Sequence, residues 1–272
     1  CFKLLIRSQS PSTRTHCSGL LLQFLLEYPL GPKRLQRHLD FIVKNLDYSL
    51  ESGREAAMGM LNAIVVKFPA QVLLDQVDFI FMAVVVRLVS DESQRCRSGA
   101  AALLQSVLSR ALAERQSLYE QLVGYALQWY RGDKPELQRA AAQLVGLAVE
   151  VEGVAVEKRL PSWLPVMVEA LESGAAEGAE EEQPQGDAWR IVYYTLRSLE
   201  KLGQLLPGML DGAVSGEGLR ERVTPLWEAM TSLLRHPHTW VKLLAARLVG
   251  ALFARCNPPT VSRMASGGVE LK

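Results

Sequence analysis

Apolar residues recur along most of the chain at positions i, i+3, i+4 and i+7, which is the spacing of one face of an α-helix. In the stretch 71–89, for example, Val77, Phe81, Val84 and Leu88 fall on a single stripe. The alternation of apolar and polar residues between turns that is typical of β-hairpins is not found. The pattern therefore predicts an all-α fold. Helices with such a stripe are expected at 35–46, 71–89, 117–130, 160–171 and 219–235.

A second type of segment alternates with these helices and recurs along the chain. DKPELQRAAAQLVG (133–146) and HTWVKLLAARLVG (238–250) share an apolar residue, then a basic or polar residue and, three positions further, a small residue. We call the helix that each copy predicts a signature helix, and the helix before it its partner helix. A small side chain lets two helices approach to the near end of the usual interaxial range of about 8–10 Å. The small positions are Ser18, Ala57, Ala100, Ala141, Ser198 and Ala245.

The distance between copies indicates the class of repeat. Successive small positions are 39, 43, 41, 57 and 47 residues apart, and a two-helix unit of about 40–47 residues is typical of HEAT and armadillo repeats. The longest step contains the acidic stretch 172–187, which we interpret as a disordered insert, and the next contains a glycine-rich loop at 207–218. We therefore predict an α–α superhelix, a HEAT/armadillo-like solenoid of about six helix pairs, at 1–256. A C-terminal tail follows at 257–272, and we interpret the whole chain as part of a longer repeat protein.

The bulk composition is that of a folded protein without a strong charge bias. Hydrophobic residues make up 49% of the chain and the net charge is +1, whereas strong non-specific nucleic-acid binders carry a basic surplus. The longest apolar run, 79–86, is too short for a bilayer, which needs about twenty residues. The four cysteines form no CxxC pair, which favours reduced, intracellular thiols. We therefore expect no membrane contact.

The sequence offers little that could carry out catalysis. No phosphate-binding glycine loop of the P-loop or dinucleotide type and no GxSxG motif is found. His236, His238 and the pair His16–Cys17 lack the further ligands that a zinc site needs. We expect His236 and His238 to be turn and N-cap residues. The prediction is a non-enzyme with no cofactor, no metal and no small-molecule substrate.

One polar feature recurs beside the small positions. A basic or polar residue precedes several of them, and stacked repeats would bring these side chains to one side of neighbouring helices. They can pair with acidic neighbours such as Asp91 and Asp133, which is the interpretation we favour, or form a concave strip that contacts RNA phosphates or an acidic peptide. The candidate strip consists of Arg54, Arg97, Arg139 and Lys242.

The aromatic residues of the second half also have two interpretations. They could form a surface on which nucleic-acid bases stack. Most of them, however, fall on apolar stripes, so we favour core packing. The residues concerned are Trp129, Tyr130, Trp163, Trp189, Tyr193, Tyr194, Trp227 and Trp240.

Two resemblances sharpen this picture. PELQRAAAQLVG and TWVKLLAARLVG look like HEAT repeats, and LLLQFLLEYPLGPKRLQRHLDFIVKNLDYSLESGREAAMGML (20–61) is similar to the C-terminal region of a particular HEAT-repeat family. That family is the U3 small nucleolar RNA-associated component of the small-subunit processome, also called the down-regulated-in-metastasis family. The turn Tyr28-Pro29-Leu30-Gly31 and the helix start Gly53-Arg54-Glu55 carry the second resemblance.

The family resemblance implies a non-catalytic, nucleolar scaffold that supports maturation of the small-subunit (18S) ribosomal RNA. Its implied partners are other pre-ribosomal assembly proteins, with phosphates of precursor ribosomal RNA or U3 small nucleolar RNA as further contacts. It brings no catalytic residues to this chain. The alternative is a HEAT-type adaptor that binds peptides, such as a transport receptor or a kinase or phosphatase scaffold.

The repeat register can be tested by enlarging a small position. Replacing Ala141 or Ala245 by Leu should overpack the helix pair and lower the free energy of unfolding by about 1–3 kcal/mol. The same replacement at Glu180, in the predicted insert, should change it little. Chemical denaturation measures both effects, and equal losses at Ala141 and Glu180 would show that the register is wrong.

Overall fold

A computed structural model describes residues 1–180, 188–207 and 217–254. All regular secondary structure in these three ranges is helical, and none of it is β-strand. The prediction of an all-α, HEAT/armadillo-like fold of successive helix pairs is confirmed. The chain divides into two compact units, residues 1–124 and 125–272.

The predicted signature and partner helices alternate along the chain. The first unit begins with α1 and includes Gly124 within α8. The predicted helix at 71–89 is in fact two helices, α5 and α6, separated by Leu74–Gln76. The helices are α1 Phe2–Arg7, α2 Pro11–Glu27, α3 Pro32–Lys44, α4 Glu51–Lys67, α5 Ala70–Leu73, α6 Val77–Ser90, α7 Gln94–Glu114, α8 Gln116–Tyr130, α9 Pro135–Glu152, α10 Leu160–Glu180, α11 Ala188–Leu205, α12 Glu217–Ser232 and α13 Thr239–Phe253.

In the first unit the signature helices pack against their partner helices and against one another. The helix α4 contacts α2, α3 and α7, and α7 also packs against α6. Met60, Leu61 and Ile64 on α4 are completely buried, as is Phe81 on α6. Helix pairs therefore bury their apolar stripes against one another, as the sequence pattern predicts.

Local chemistry determines where the signature helices begin. Ser10 precedes Pro11 and its hydroxyl accepts a hydrogen bond from the Thr13 N–H at 3.3 Å. Ser93 caps α7 by accepting from Arg95 N–H and Cys96 N–H at 3.1 and 3.3 Å. Such caps satisfy N–H groups that have no partner inside the helix.

In the second unit the signature helices α9, α11 and α13 pack in succession, with α10 and α12 as partner helices. The crossing of α9 and α11 is very close. The Ser198 hydroxyl donates to the Ala142 carbonyl oxygen at 2.9 Å, and a Cβ atom built on Gly146 would lie 2.7 Å from Ser198 Oγ. Only glycine at 146 therefore leaves room for this hydrogen bond.

The predicted disordered insert is wrong over 172–180. The helix α10 continues to Glu180, and residues 181–187 lie outside the described ranges. Glu and Ala favour helix, and Gly174 has a packing role, because a Cβ atom there would lie 2.1 Å from Val192 Cγ2 on α11. The acidic, glycine-containing segment 172–180 is thus the end of α10, a helix that packs closely against α11.

The predicted glycine-rich loop is only partly described, and the predicted tail lies outside the described residues. The loop was placed at 207–218, but α12 begins at Glu217, so the last two residues are helical. Residues 208–216 lie outside the described ranges, as does the whole predicted tail at 257–272. Pro165 and Pro225 lie inside the partner helices α10 and α12.

The close crossing of α9 and α11 predicts opposite effects for two Gly→Ala substitutions. Gly146→Ala should lower the free energy of unfolding by about 1–3 kcal/mol, because the new Cβ displaces the Ser198 hydroxyl. Gly59→Ala in α4, where a Cβ would meet nothing within 4 Å, should raise it by about 0.5–1 kcal/mol through helix propensity.

Urea denaturation of the two variants measures these effects. Adding Ser198→Ala to Gly146→Ala should recover part of the loss, because it removes the atom that clashes. Equal stabilisation by both Gly→Ala changes would contradict a close crossing at Gly146.

Candidate partner-binding surfaces

Neither a metal-ligand cluster nor a membrane-spanning helix is found among the described residues. They contain no group of three or more His, Cys, Asp or Glu side chains that could hold a metal ion. None of their helices is long and apolar enough to cross a membrane. Cys17 and Cys96 are buried and Cys1 is exposed. The candidate surfaces are the predicted basic strip and the aromatic residues.

Arg54, the first member of the predicted strip, forms an internal ion pair. Its Nε and Nη2 donate to the two carboxylate oxygens of Asp91 at 2.8 and 2.9 Å. Asp91 is buried and also accepts the Ser93 N–H at 2.9 Å. The third guanidinium nitrogen, Nη1, donates to the carbonyl oxygens of Tyr48 and Ser49. This side chain thus ties the α3–α4 connection to the α6–α7 connection.

The charges of this pair are mutually stabilised. Burial by itself would raise the pKa of Asp91, but the hydrogen bonds from Arg54 and Ser93 and the nearby positive charges lower it below its ordinary value. The hydrogen bond to Asp91 raises the pKa of Arg54 in spite of desolvation. Asp91 is therefore ionised and Arg54 protonated around neutral pH.

The same position has a similar structural use in later repeats. Arg97 donates to the carbonyl oxygens of Asp91 and Glu92 at 2.7 and 2.9 Å. Gln138 donates to the Gly132 carbonyl oxygen at 2.8 Å. In each case the acceptor lies five or six residues earlier, in the connection that precedes the signature helix. These side chains hold that connection against the first turn of their own helix.

The remaining two members of the strip differ from the first two. Arg139 is only 6% exposed, so including it in a surface strip is wrong. It follows Gln138 by one residue, or about 100° around the helix, and this rotation places it inside the packing. Lys242 on α13 is exposed. The strip thus reduces to two arginines engaged in internal hydrogen bonds and one exposed lysine.

The small positions lie mostly in the interior. Five of the six are buried, and Ser18 on α2 is half-buried. The hydroxyl of Ser18 lies 3.6 Å from the Met60 sulfur on α4. Ser198 makes the hydrogen bond to α9 already described. At both serines the small side chain lies against the preceding or following signature helix.

The aromatic residues divide into core and surface groups, which corrects the expectation that most pack in the core. Trp163 is 1% exposed and Tyr130 is buried, with its hydroxyl 2.8 Å from Thr195 Oγ1. Burial raises the pKa of Tyr130, so this group stays protonated. The other six of the predicted set are half-buried or exposed: Trp129, Trp189, Tyr193, Tyr194, Trp227 and Trp240.

Four rings of the second unit form one contiguous cluster, which we call the aromatic surface: Trp189 and Tyr193 on α11, and His238 and Trp240 at the start of α13. The His238 ring stacks on Trp189 with centroids 3.7 Å apart and an interplanar angle of 11°. Trp240 meets Trp189 edge-on at 5.7 Å and lies 6.2 Å from Tyr193. The guanidinium carbon of Arg190 lies 5.4 Å from the Trp189 ring centroid.

The two histidines shape the turn that leads into α13. The His236 Nδ1 accepts the His238 N–H at 3.0 Å, and the His238 carbonyl accepts the Lys242 N–H. Burial lowers the pKa of both rings. The nearby His238 and Lys242 lower the pKa of His236 further, and Arg190 does so for His238. His236 is therefore a turn residue and His238 an N-cap residue, and both rings are neutral around neutral pH.

Comparison with known proteins bears out the resemblance inferred from residues 20–61 and extends it along the chain. The chain is 30% identical over 264 residues, 97% of its length, to "U3 small nucleolar RNA-associated protein 20" of Schizosaccharomyces pombe. It is 24% identical over 265 residues, 96% of its length, to the protein of the same name from Saccharomyces cerevisiae. The chain spans 10% of the length of each of these relatives. No family model matches it.

Similar solved structures include engineered and designed proteins. An engineered protein has a TM-score of 0.45 at 15% identity, covering 93% of this chain and 98% of that one. A designed armadillo repeat protein has a TM-score of 0.41 at 14% identity, covering 92% of this chain and 98% of that one.

Removing the carboxylate of the Arg54–Asp91 pair should cause a large, pH-dependent loss in the free energy of unfolding. Asp91→Asn should lower the free energy of unfolding by about 3 kcal/mol at pH 7, because the partly buried guanidinium of Arg54 loses its counter-charge. The folded pKa of Asp91 is depressed, so its contribution is present above the unfolded pKa of about 3.9. It is lost as the pH falls through the lower folded value.

Denaturation at pH 7 and pH 3 checks this dependence, with Asp47→Asn as the matched control. Asp47 pairs with Arg87 at 2.8 Å, but its side chain is 82% exposed, so its loss should be under about 1 kcal/mol. Equal losses for the two variants at pH 7 would contradict the assigned role of Asp91.

Proposed function

We propose that this chain is a non-catalytic scaffold segment of the small-subunit processome that supports maturation of the 18S ribosomal RNA in the nucleolus. The observation that carries the proposal is the 30% identity to U3 small nucleolar RNA-associated protein 20 of Schizosaccharomyces pombe over 97% of the chain. A match of this extent includes both compact units and every predicted repeat, so it concerns the whole helical framework.

The way the chain uses its polar side chains supports a scaffold. Arg54 and Arg97, two members of the predicted basic strip, form hydrogen bonds to the backbone between helices, and Arg54 also pairs with a buried carboxylate. Cys96, which could be a nucleophile, is buried and burial raises the pKa of its thiol. A raised thiol pKa disfavours the reactive thiolate. These groups stabilise the helix pairs.

The proposed partners are other pre-ribosomal assembly proteins, together with phosphates of precursor ribosomal RNA or U3 small nucleolar RNA. A net charge of +1 supports contacts mainly with proteins, because extensive phosphate contact requires a basic surplus. Stacked repeats offer a surface that is large for their mass, over which several partners can be held.

Purification of the full-length protein that contains this segment tests the proposal. The protein is tagged in its own cells, purified under native conditions, and the RNA that accompanies it is sequenced. We expect enrichment of U3 small nucleolar RNA and of precursor ribosomal RNA over an untagged control. Depletion of the same protein should lower the ratio of mature 18S to large-subunit ribosomal RNA.

Two variants of the tagged protein show whether this segment contributes. Ala141→Leu, which disturbs the packing of signature helices, should reduce the recovery of U3, whereas Gly59→Ala should not. Recovery of a defined peptide ligand without U3 or precursor RNA would favour the peptide adaptor instead. Normal 18S levels after depletion would overturn the proposal.

A further inference from the structure

We propose that the aromatic surface, Trp189, Tyr193, His238 and Trp240, binds single-stranded RNA by stacking an unpaired base on Trp240, its exposed ring. The inference deepens the proposed function, since that function would supply the RNA. The binding chemistry itself is argued from the geometry of α11 and the start of α13.

The rings of this surface are arranged for access rather than for core packing. Trp240 is 59% exposed, whereas Trp163, a core tryptophan of the same unit, is 1% exposed. Trp189 and His238 both meet the Trp240 ring close to a right angle, with interplanar angles of 78° and 79°, and Trp240 keeps its large exposed area beside them. Tyr193, half-buried, lies beside it. Exposed indole and phenol faces are the side chains on which bases stack irrespective of their sequence.

Trp189 acts as the fixed part of the surface. One face of its ring stacks on His238 at 3.7 Å, and the Arg190 guanidinium carbon lies 5.4 Å from its centroid. These contacts fix the orientation of Trp189, and Trp189 in turn packs against Trp240. Because His238 is neutral, the stack carries no additional charge that would depend on pH near neutrality. The surface is therefore pre-organised, which reduces the entropy lost on binding.

Charge favours an anionic partner over a basic one. Arg190 is exposed beside His238 and Lys242 is exposed beside His236, close enough that each contributes to the lowered pKa of the adjacent ring. The carboxylate of Glu200, further along α11, contacts both Arg197 and Arg247, so two guanidinium groups offset its charge. Aromatic faces flanked by cations fit a polymer of bases and phosphates.

Binding of labelled RNA to the full chain tests the inference. The probe is a fluorescein-labelled, uridine-rich single strand of about 12 nucleotides, and fluorescence anisotropy gives its dissociation constant at several salt concentrations. We expect the chain to bind this strand more tightly than the same sequence in a duplex. Trp240→Ala should weaken binding about tenfold, which corresponds to about 1.4 kcal/mol, and Trp240→Phe should restore most of it.

Two further variants separate stacking from other contacts. Lys242→Glu should weaken binding and lower the salt dependence, because a phosphate contact is lost. Leu243→Ala is the matched control, since Leu243 is 60% exposed next to Trp240 but cannot stack on a base, and it should bind like the wild type. Thermal unfolding followed by circular dichroism confirms that each variant is folded.

The inference is overturned if the wild-type chain does not bind the single strand at about 100 µM, or if Trp240→Ala and Leu243→Ala weaken binding equally. Binding of an alternating Lys-Arg peptide in place of RNA, lost in Trp240→Ala, would also overturn it and identify a protein partner. Absence of oligonucleotide binding with normal recovery of U3 by the full-length protein would leave the proposed function standing. Failure of the wild-type full-length protein to recover U3 would overturn the proposed function whatever the oligonucleotide assay shows.

Discussion

The close approach of successive signature helices is the constraint on which the rest of the structure depends. Where α9 and α11 cross, Ser198 donates a hydrogen bond to the backbone of Ala142, and Gly146 leaves the space that the hydroxyl needs. A larger side chain at either position, unless it is covalently bonded to the other, would clash at this crossing and push the two helices apart. The partner helices and connecting segments of this unit pack around this crossing of α9 and α11.

Polar side chains complete the packing at the start of the signature helices. Three of these side chains donate hydrogen bonds to carbonyl oxygens that lie five or six residues earlier, in the preceding connection: Arg54, Arg97 and Gln138. Backbone groups in tight connections need partners when they are removed from water. A basic column that looks like a binding strip in sequence is thus, at these positions, a device that secures each connection. The aromatic surface, by contrast, has rings that remain exposed or half-buried after the helices have packed.

The sequence predicts those features that depend only on residues close together in the chain. The period of the stripe from Val77 to Leu88 is sufficient for a helix, because both the pattern and the structure repeat every few residues. Sequence reasoning wrongly places Gly174 in a disordered insert, because the role of this glycine depends on Val192 of another helix. It also wrongly places Arg139 on the surface, because one residue further along the helix the side chain points into the interior. Nor does periodicity distinguish Trp163 in the core from Trp240 on the surface. Their difference arises from which helices pack beside them, and the only local sign is the His-Pro-His turn that precedes Trp240.

The most direct test of the close crossing of α9 and α11 is a disulfide between the two residues that meet there, at positions 146 and 198. A Cβ atom on Gly146 would lie 3.7 Å from Ser198 Cβ, within the separation of about 3.5–4.5 Å that a disulfide spans. In a chain whose four native cysteines are replaced by serine, Gly146→Cys together with Ser198→Cys should form an intramolecular disulfide on mild oxidation, detected by peptide mass spectrometry. A folded, monomeric protein in which both thiols remain free would contradict the close crossing of α9 and α11.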